Sequence, residues 1–176
     1  MLLAPTSPLA PTPPNHRAEQ DAKDIRHLKT YEVLLKEKDF GPGPWSQSNI
    51  EPGASMLIAT SNSGGVIVLG ETTITYLSGA DFKTLPIAFS CFKAYGKIDD
   101  QRYLLGDHMG VLSVLVVTME GGGVASLNLE RLGVTSQPTS LTYLDNGVMF
   151  VGSSFGDSQV RHQAIDPRHS TPSLPR

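Results

Sequence analysis

Two stretches of this chain follow one plan. "RYLLGDHMGVLSVL" (102–115) and "GVMFVGSSFGDSQV" (147–160) each run from an apolar segment through a glycine, three residues and a second glycine into another segment. Gly106 and Gly110 in the first correspond to Gly152 and Gly156 in the second. "GVIVLGETTITYL" (65–77) is a weaker third copy, with Gly70 ending its apolar run and no second glycine. The three run-ending glycines lie 36 and 46 residues apart. A repeat of about 40–50 residues made of short strands is the pattern of β-propeller blades. Tight turns between antiparallel strands need positive φ, which glycine adopts without steric cost. Gly106, Gly110, Gly152 and Gly156 are therefore expected at turn positions. About three blades fit in the chain, against the roughly 4–8 of a closed propeller.

The rest of the middle agrees. "SMLIAT" (55–60), "GVIVLG" (65–70), "TTITYL" (72–77), "RYLLGD" (102–107), "VLSVLVV" (111–117), "SLTYL" (140–144) and "GVMFVG" (147–152) are short and rich in β-branched, aromatic and aliphatic residues. Gly, Asn, Asp and Ser cluster between them. Asn146-Gly147 separates two such runs, the strongest short signal for a type I′ hairpin. "SNSGGV" reads as a second hairpin turn. The fold class is all-β: a partial propeller of four-stranded antiparallel blades. One segment is ambiguous. In "RHLKTYEVLLKEKDF", Leu28, Tyr31, Leu34 and Leu35 fit a helix face, whereas His27, Lys29, Tyr31, Val33 and Leu35 fit a strand face.

The ends differ in character. Five prolines in the first 14 residues break every apolar run, so the N-terminus is expected to be neither a signal peptide nor a membrane anchor. Proline at this density favours an extended, unpaired chain. Residues 1–24 are expected to be disordered, 25–163 to form the partial propeller, and 164–176, also Pro/Ser-rich, to be a disordered tail. The formal net charge of −3 offers no field for a phosphate backbone. Cys91 is the single cysteine, which excludes an intrachain disulfide and mildly favours a reducing compartment. The five histidines (His16, His27, His108, His162, His169) show no ligand spacing, and no zinc is expected.

Gly156-Asp157-Ser158 is the tripeptide that carries the nucleophile in one class of esterases, and Asp166-x-x-His169 would complete its triad. A triad needs a base held within hydrogen-bond reach, an orienting group and an oxyanion hole. A Pro-rich tail 11 residues downstream holds none of these in place. Gly156-Asp157 therefore reads as a turn, with Ser158 opening the next strand. Asp99-Asp100 reads as a polar loop, since adjacent strand residues point to opposite faces. "EGGGV" (120–124) lacks the lysine and helix of a phosphate loop and reads as a flexible inter-strand loop. Trp45, in the turn-rich "GPGPW", is expected to pack on a hydrophobic patch rather than anchor a partner. Cys91 reads as a buried strand cysteine, with only Lys93 near enough to act on it.

"KTYEVLLKEKDFGPGPW", "RYLLGDHMGVL" and "LTYLDNGVMFVGSSFGDSQ" together resemble the family of the large subunit of the damaged-DNA-binding protein, the β-propeller adaptor of cullin-4 ubiquitin ligases. The likeness runs from about His27 to Val160. Large subunits of an mRNA cleavage-polyadenylation factor and of a splicing factor share the architecture and fit these runs less well. The resemblance implies a non-enzymatic scaffold, a piece of the first of three propellers, with roles in DNA repair and protein ubiquitination. It settles the ambiguous segment in favour of a strand. It implies substrate receptors of cullin-4 ligases as protein partners, nucleic acid only through a complex, no membrane, no cofactor, no catalytic residue, and a nuclear and also cytoplasmic location. No partner-contacting residue is assigned. The first 24 residues and those after Gln159 depart from the family pattern, so both ends are expected to be foreign to it.

Overall fold

The computed structural model describes residues 2–4, 26–60, 64–79 and 81–162, and no helix occurs among them. The strands are β1 (Leu2–Ala4), β2 (Arg26–Leu34), β3 (Asp39–Ile50), β4 (Met56–Ala59), β5 (Val66–Leu69), β6 (Thr73–Ser78), β7 (Asp81–Pro86), β8 (Phe92–Lys97), β9 (Arg102–Asp107), β10 (Val111–Glu120), β11 (Gly123–Val134), β12 (Pro138–Asp145), β13 (Val148–Ser153) and β14 (Gln159–His162). They form four sheets, ordered β1-β2-β3, β4-β5-β6-β7, β11-β10-β9-β8 and β12-β13-β14. Each sheet pairs strands in chain order, as propeller blades do. Two are full four-stranded blades and two have three strands, against the roughly three blades expected.

The chain divides into two compact units, residues 1–91 with 118–127, and residues 92–117 with 128–176. In the first, the faces of the β2–β3 and β4–β7 sheets bury Leu28, Ile50, Ala54, Val66, Val68 and Leu77, with Trp45 and Leu57 packed against them. Every residue of β5 is buried, as suits an inner strand covered on both faces. In the second, Ala94, Leu104, Leu112, Leu141, Met149 and Val151 form the core, flanked by Ile98, Val114, Leu132 and Tyr143. At roughly 25 cal/mol per Å2 of apolar surface, such burial is the dominant favourable contribution within each unit.

The sequence repeat is now visible as structure: Gly70 follows β5, Gly106 lies in β9 and Gly152 in β13, the second strands in chain order of three successive sheets. Their role differs from the expected one. Neither Gly106, Gly152 nor Gly156 has positive φ; the left-handed glycines include Gly110 (φ 77°) and Gly147 (φ 77°), beside Asn146 (φ 49°). Gly106 and Gly152 are instead forced by packing. A Cβ on Gly106 would strike the Pro138 ring and lie 3.2 Å from Leu141 Cδ1, and one on Gly152 would strike the Ser140 hydroxyl. A Cβ on Gly156 would lie 3.1 Å from Ser136 Oγ. Asn146-Gly147 does close the β12–β13 hairpin, with both φ values positive as a type I′ turn requires. Between β4 and β5 the Thr60 amide donates to the Gly65 carbonyl at 3.1 Å; residues 61–63 lie outside the described residues.

Other expectations need amendment. Residues 26–34 form a strand and not a helix, but the face read from the alternation is not the inner one: Leu28 is buried, Tyr31 and Val33 are exposed, and Leu35 lies past the strand's end. Trp45 lies within β3 rather than in a turn, and the Thr30 hydroxyl bridges its carbonyl (2.5 Å) and amide (3.2 Å). Extended φ suits both proline and its predecessor, so "GPGP" is compatible with an outer strand. Cys91 is half-buried and precedes β8 rather than lying in it. Leu2–Ala4 pairs with His27–Lys29 of β2, so these three residues are not unpaired chain. The rest of the expected N-terminal disorder, and the expected tail at 164–176, lie outside the described residues.

Candidate interaction rim

In a sheet of sequential strands, the turn joining the second and third strands lies at the same end as the segment leading into the next sheet. In the second unit that end is built from the β9–β10 turn, the segment from β11 to β12, and the β13–β14 turn. Asp107, buried at the end of β9, accepts the Met109 and Val111 amides on Oδ1 at 2.8 and 2.9 Å. An aspartate capping the amide two residues on is the chemistry of an Asx turn. Gly110, left-handed in this turn, has no room for a Cβ because the Thr135 carbonyl lies against it. The Thr135 amide donates to the Gly110 carbonyl at 2.8 Å.

The β13–β14 turn repeats the device with a hydroxyl. Ser153 Oγ accepts the Phe155 amide at 3.2 Å, and Ser158 Oγ accepts the Ser153 amide at 3.3 Å. Gln159 Nε2 donates to Ser136 Oγ at 3.4 Å, tying this turn to the same linking segment. Each turn leaves one large apolar side chain in water: Met109 is 69% exposed and Phe155 79%. Exposed methionine and aromatic residues held on a polar, hydrogen-bonded frame are the composition of protein-contact sites.

The first unit builds the corresponding end differently. The β5–β6 turn has no second glycine and no cap of its own. Glu51, following β3, supplies one. Its Oε1 accepts the amides of Glu71 (3.0 Å) and Thr72 (2.8 Å) and the Thr72 hydroxyl (2.9 Å). Its Oε2 accepts the Thr73 amide (3.1 Å) and hydroxyl (2.6 Å). Gly70 makes room, since a Cβ there would strike this carboxylate. Burial pushes the Glu51 carboxyl up, but the hydrogen bonds from Thr73, Thr72 and Glu71 outweigh it and hold it below its ordinary value. The segment to β8 closes on the turn through Ile87 N to Thr72 O (2.8 Å), Ser90 N to Glu71 O (2.9 Å) and Cys91 Sγ to Glu71 Oε1 (3.5 Å). Phe89 in this segment is 63% exposed.

The remaining sequence candidates have structural places. Asp99 and Asp100 lie in the β8–β9 turn. Asp99 pairs with Arg102 (2.7 Å) and accepts the Gln101 amide (2.9 Å), and Asp100 pairs with Lys97 (2.6 Å). Gly121 and Gly122 in "EGGGV" form the β10–β11 turn, both with positive φ. Ser158 sits just before β14 with its hydroxyl accepting a backbone amide; Asp166 and His169 lie outside the described residues. Among the described residues no group of three His, Cys, Asp or Glu is arranged to hold a metal ion. Sequence reasoning missed Met109 and Phe155 as surface groups. Their only signal was position, an apolar residue between the two glycines of each full repeat.

Comparison with known proteins agrees with this architecture. A family described as the RSE1/DDB1/CPSF1 first beta-propeller matches residues 18–171. That span passes both limits of the sequence resemblance, so the segments just outside 27–160 are not foreign to the family. DNA damage-binding protein 1b of Arabidopsis thaliana is 52% identical over 151 residues, covering 84% of this chain and 14% of that protein. DNA damage-binding protein 1a of the same plant is 53% identical over 151 residues, with the same coverage. DNA damage-binding protein 1 of Oryza sativa subsp. japonica is 53% identical over 145 residues, 80% of this chain and 13% of that protein. The chain thus spans about 14% of the length of these relatives. With the repeat, the sequential sheets and this match over most of its length, the chain belongs to the family of the first β-propeller of RSE1, DDB1 and CPSF1.

Proposed function

We propose that this chain is a non-enzymatic propeller scaffold, a piece of a cullin-4 ubiquitin ligase adaptor that acts in DNA damage repair and protein ubiquitination. The observation that carries the reading is the rim: two hydrogen-bonded turns that each present one exposed apolar side chain, Met109 and Phe155, on a chain about half identical to DNA damage-binding proteins. In this reading the rim receives substrate receptors of the ligase, nucleic acid is met only through the complex, and the site of action is the nucleus with a cytoplasmic share. The working unit is the propeller segment 25–163. The turn positions Asn146, Gly147, Gly106, Gly110, Gly152 and Gly156 serve it structurally, by shaping the turns and letting strands approach, rather than by chemistry.

The test is capture of a purified cullin-4 substrate receptor by the chain, alone and with Met109→Asp and Phe155→Asp. Both side chains are largely exposed, so these changes leave the fold intact. Loss of capture in the variants, with unchanged thermal unfolding, supports the reading. Equal capture by both variants, or none by the parent chain, refutes it.

A further inference from the structure

The Gly156-Asp157-Ser158 motif leaves a hydroxyl that the scaffold reading does not use. Three of the chain's six glutamines directly follow a serine: Ser46-Gln47, Ser136-Gln137 and Ser158-Gln159. Serine followed by glutamine is the pair read by one group of protein kinases, which take the acceptor in an accessible, extended stretch of chain. The structure separates the three. Ser46 lies inside β3, paired with Lys29 of β2, so its backbone is committed to the sheet. Ser136 is half-buried, and its hydroxyl accepts the Gln159 side chain. Ser158 alone is exposed outside a strand, at the end of a run of exposed residues from 154 to 158, and the glutamine after it is the first residue of the edge strand β14, paired with Val151. Among the described residues its hydroxyl partners the Ser153 amide, at a long 3.3 Å.

We propose that Ser158 is a phosphorylation site, read by a serine kinase that recognises glutamine directly after the acceptor. The Ser158 hydroxyl oxygen attacks the γ-phosphorus of ATP. A serine O–P bond forms, the bond between the γ-phosphorus and the β,γ-bridging oxygen breaks, ADP leaves, and the hydroxyl proton passes to the kinase's base. The product carries about −1.5 to −2 charge at neutral pH. That charge stands beside the Asp157 carboxylate, and it replaces the neutral hydroxyl that held the Ser153 amide. The turn it alters is the one that presents Phe155. Control of receptor docking by this phosphate rests on the function proposed above; the identity of the acceptor does not.

The experiment uses the full chain with a purified Ser-Gln-directed kinase and Mg-ATP. One phosphate per chain is expected by intact mass, mapped to Ser158 by peptide sequencing. It should be lost in Ser158→Ala, retained in Ser158→Thr, reduced several-fold in Gln159→Asn, and unchanged in Ser46→Ala. No incorporation into the folded chain, or undiminished incorporation in Ser158→Ala, overturns the assignment. Receptor capture by phosphorylated and unmodified chain is a separate readout: a several-fold difference supports control of the rim, and equal capture removes that role while the acceptor stands.

Discussion

Glu51 supplies from a preceding segment what Asp107 and Ser153 supply within their own turns, an acceptor for amides that no strand partner reaches. Replacing it with alanine leaves three amides and two hydroxyls without their acceptor. A buried donor left unpaired costs about 1–3 kcal/mol, and here water reaches part of the site, so the lower half of that range is expected in urea unfolding of Glu51→Ala. Protonation has a related effect. The carboxyl is held below its ordinary value of 4.5, so folding favours the ionised form. Its contribution is complete above 4.5 and is lost as pH falls through the lower folded value. Asp99, likewise held down by Arg102 and Gln101 against its burial, adds to the same acid-side loss. The urea midpoint should therefore drop as pH is lowered from about 5 to 3, and drop less in Glu51→Gln. Gly106 makes the opposite kind of test. An added methyl meets the Pro138 ring and two leucines in a packed core, so Gly106→Ala should cost about 1–3 kcal/mol by the same measurement.

At the scale of the element, the β12–β13 hairpin rests on two left-handed residues. Asparagine tolerates that region and glycine is at home in it, but alanine is penalised by about 1–2 kcal/mol. Gly147→Ala should open this hairpin locally, seen as faster amide exchange across 141–151 with β4–β7 unchanged. The same asparagine-glycine pair was legible in the sequence because its φ requirement is local. The inner strands were legible for a related reason: Val66–Leu69 and Tyr103–Leu105 are continuous apolar runs, buried on both faces. Among the edge strands, β4 and β12 were read and others were not. β11 buries only Val124 and Leu127 among polar neighbours, and β8 buries Phe92, Ala94 and Gly96 in alternation, of which the last two carry little hydrophobic signal. β7, exposed along nearly its whole length, shows no alternation to read. Gly106 and Gly152 were found correctly and explained wrongly, because a clash with the Pro138 ring or the Ser140 hydroxyl depends on a neighbour more than ten positions away. Met109 and Phe155 had no local signal of exposure either; an apolar residue in a turn looks the same whether a partner, a core or water receives it.

At the scale of the whole molecule, the question is which surfaces resist association. The outer strands carry the usual guards against edge pairing: Pro42 and Pro44 in β3, Asp81, Lys83 and Pro86 in β7, and Arg161 in β14. The outward face of the β12–β14 sheet has no such guard. Phe150 pairs across from Val160, so both project from one side, and they are 38% and 66% exposed, with Leu144 at 55% nearby. In a propeller each blade buries its face on a neighbour, and repeat units lacking one leave that face in water. Association of the isolated chain should therefore run through this face rather than through strand edges. Sedimentation velocity across a concentration series should show a mass that rises with concentration for the parent chain. The double variant Phe150→Thr, Val160→Thr places β-branched side chains that suit a strand but removes most of the apolar area, and it should sediment as a monomer. Substituting the edge residues, as in Lys83→Thr, should change little. A parent chain that stays monomeric at every concentration and melts in one sharp transition would mean that this face is stable in water, and that each unit closes its core without a neighbouring blade.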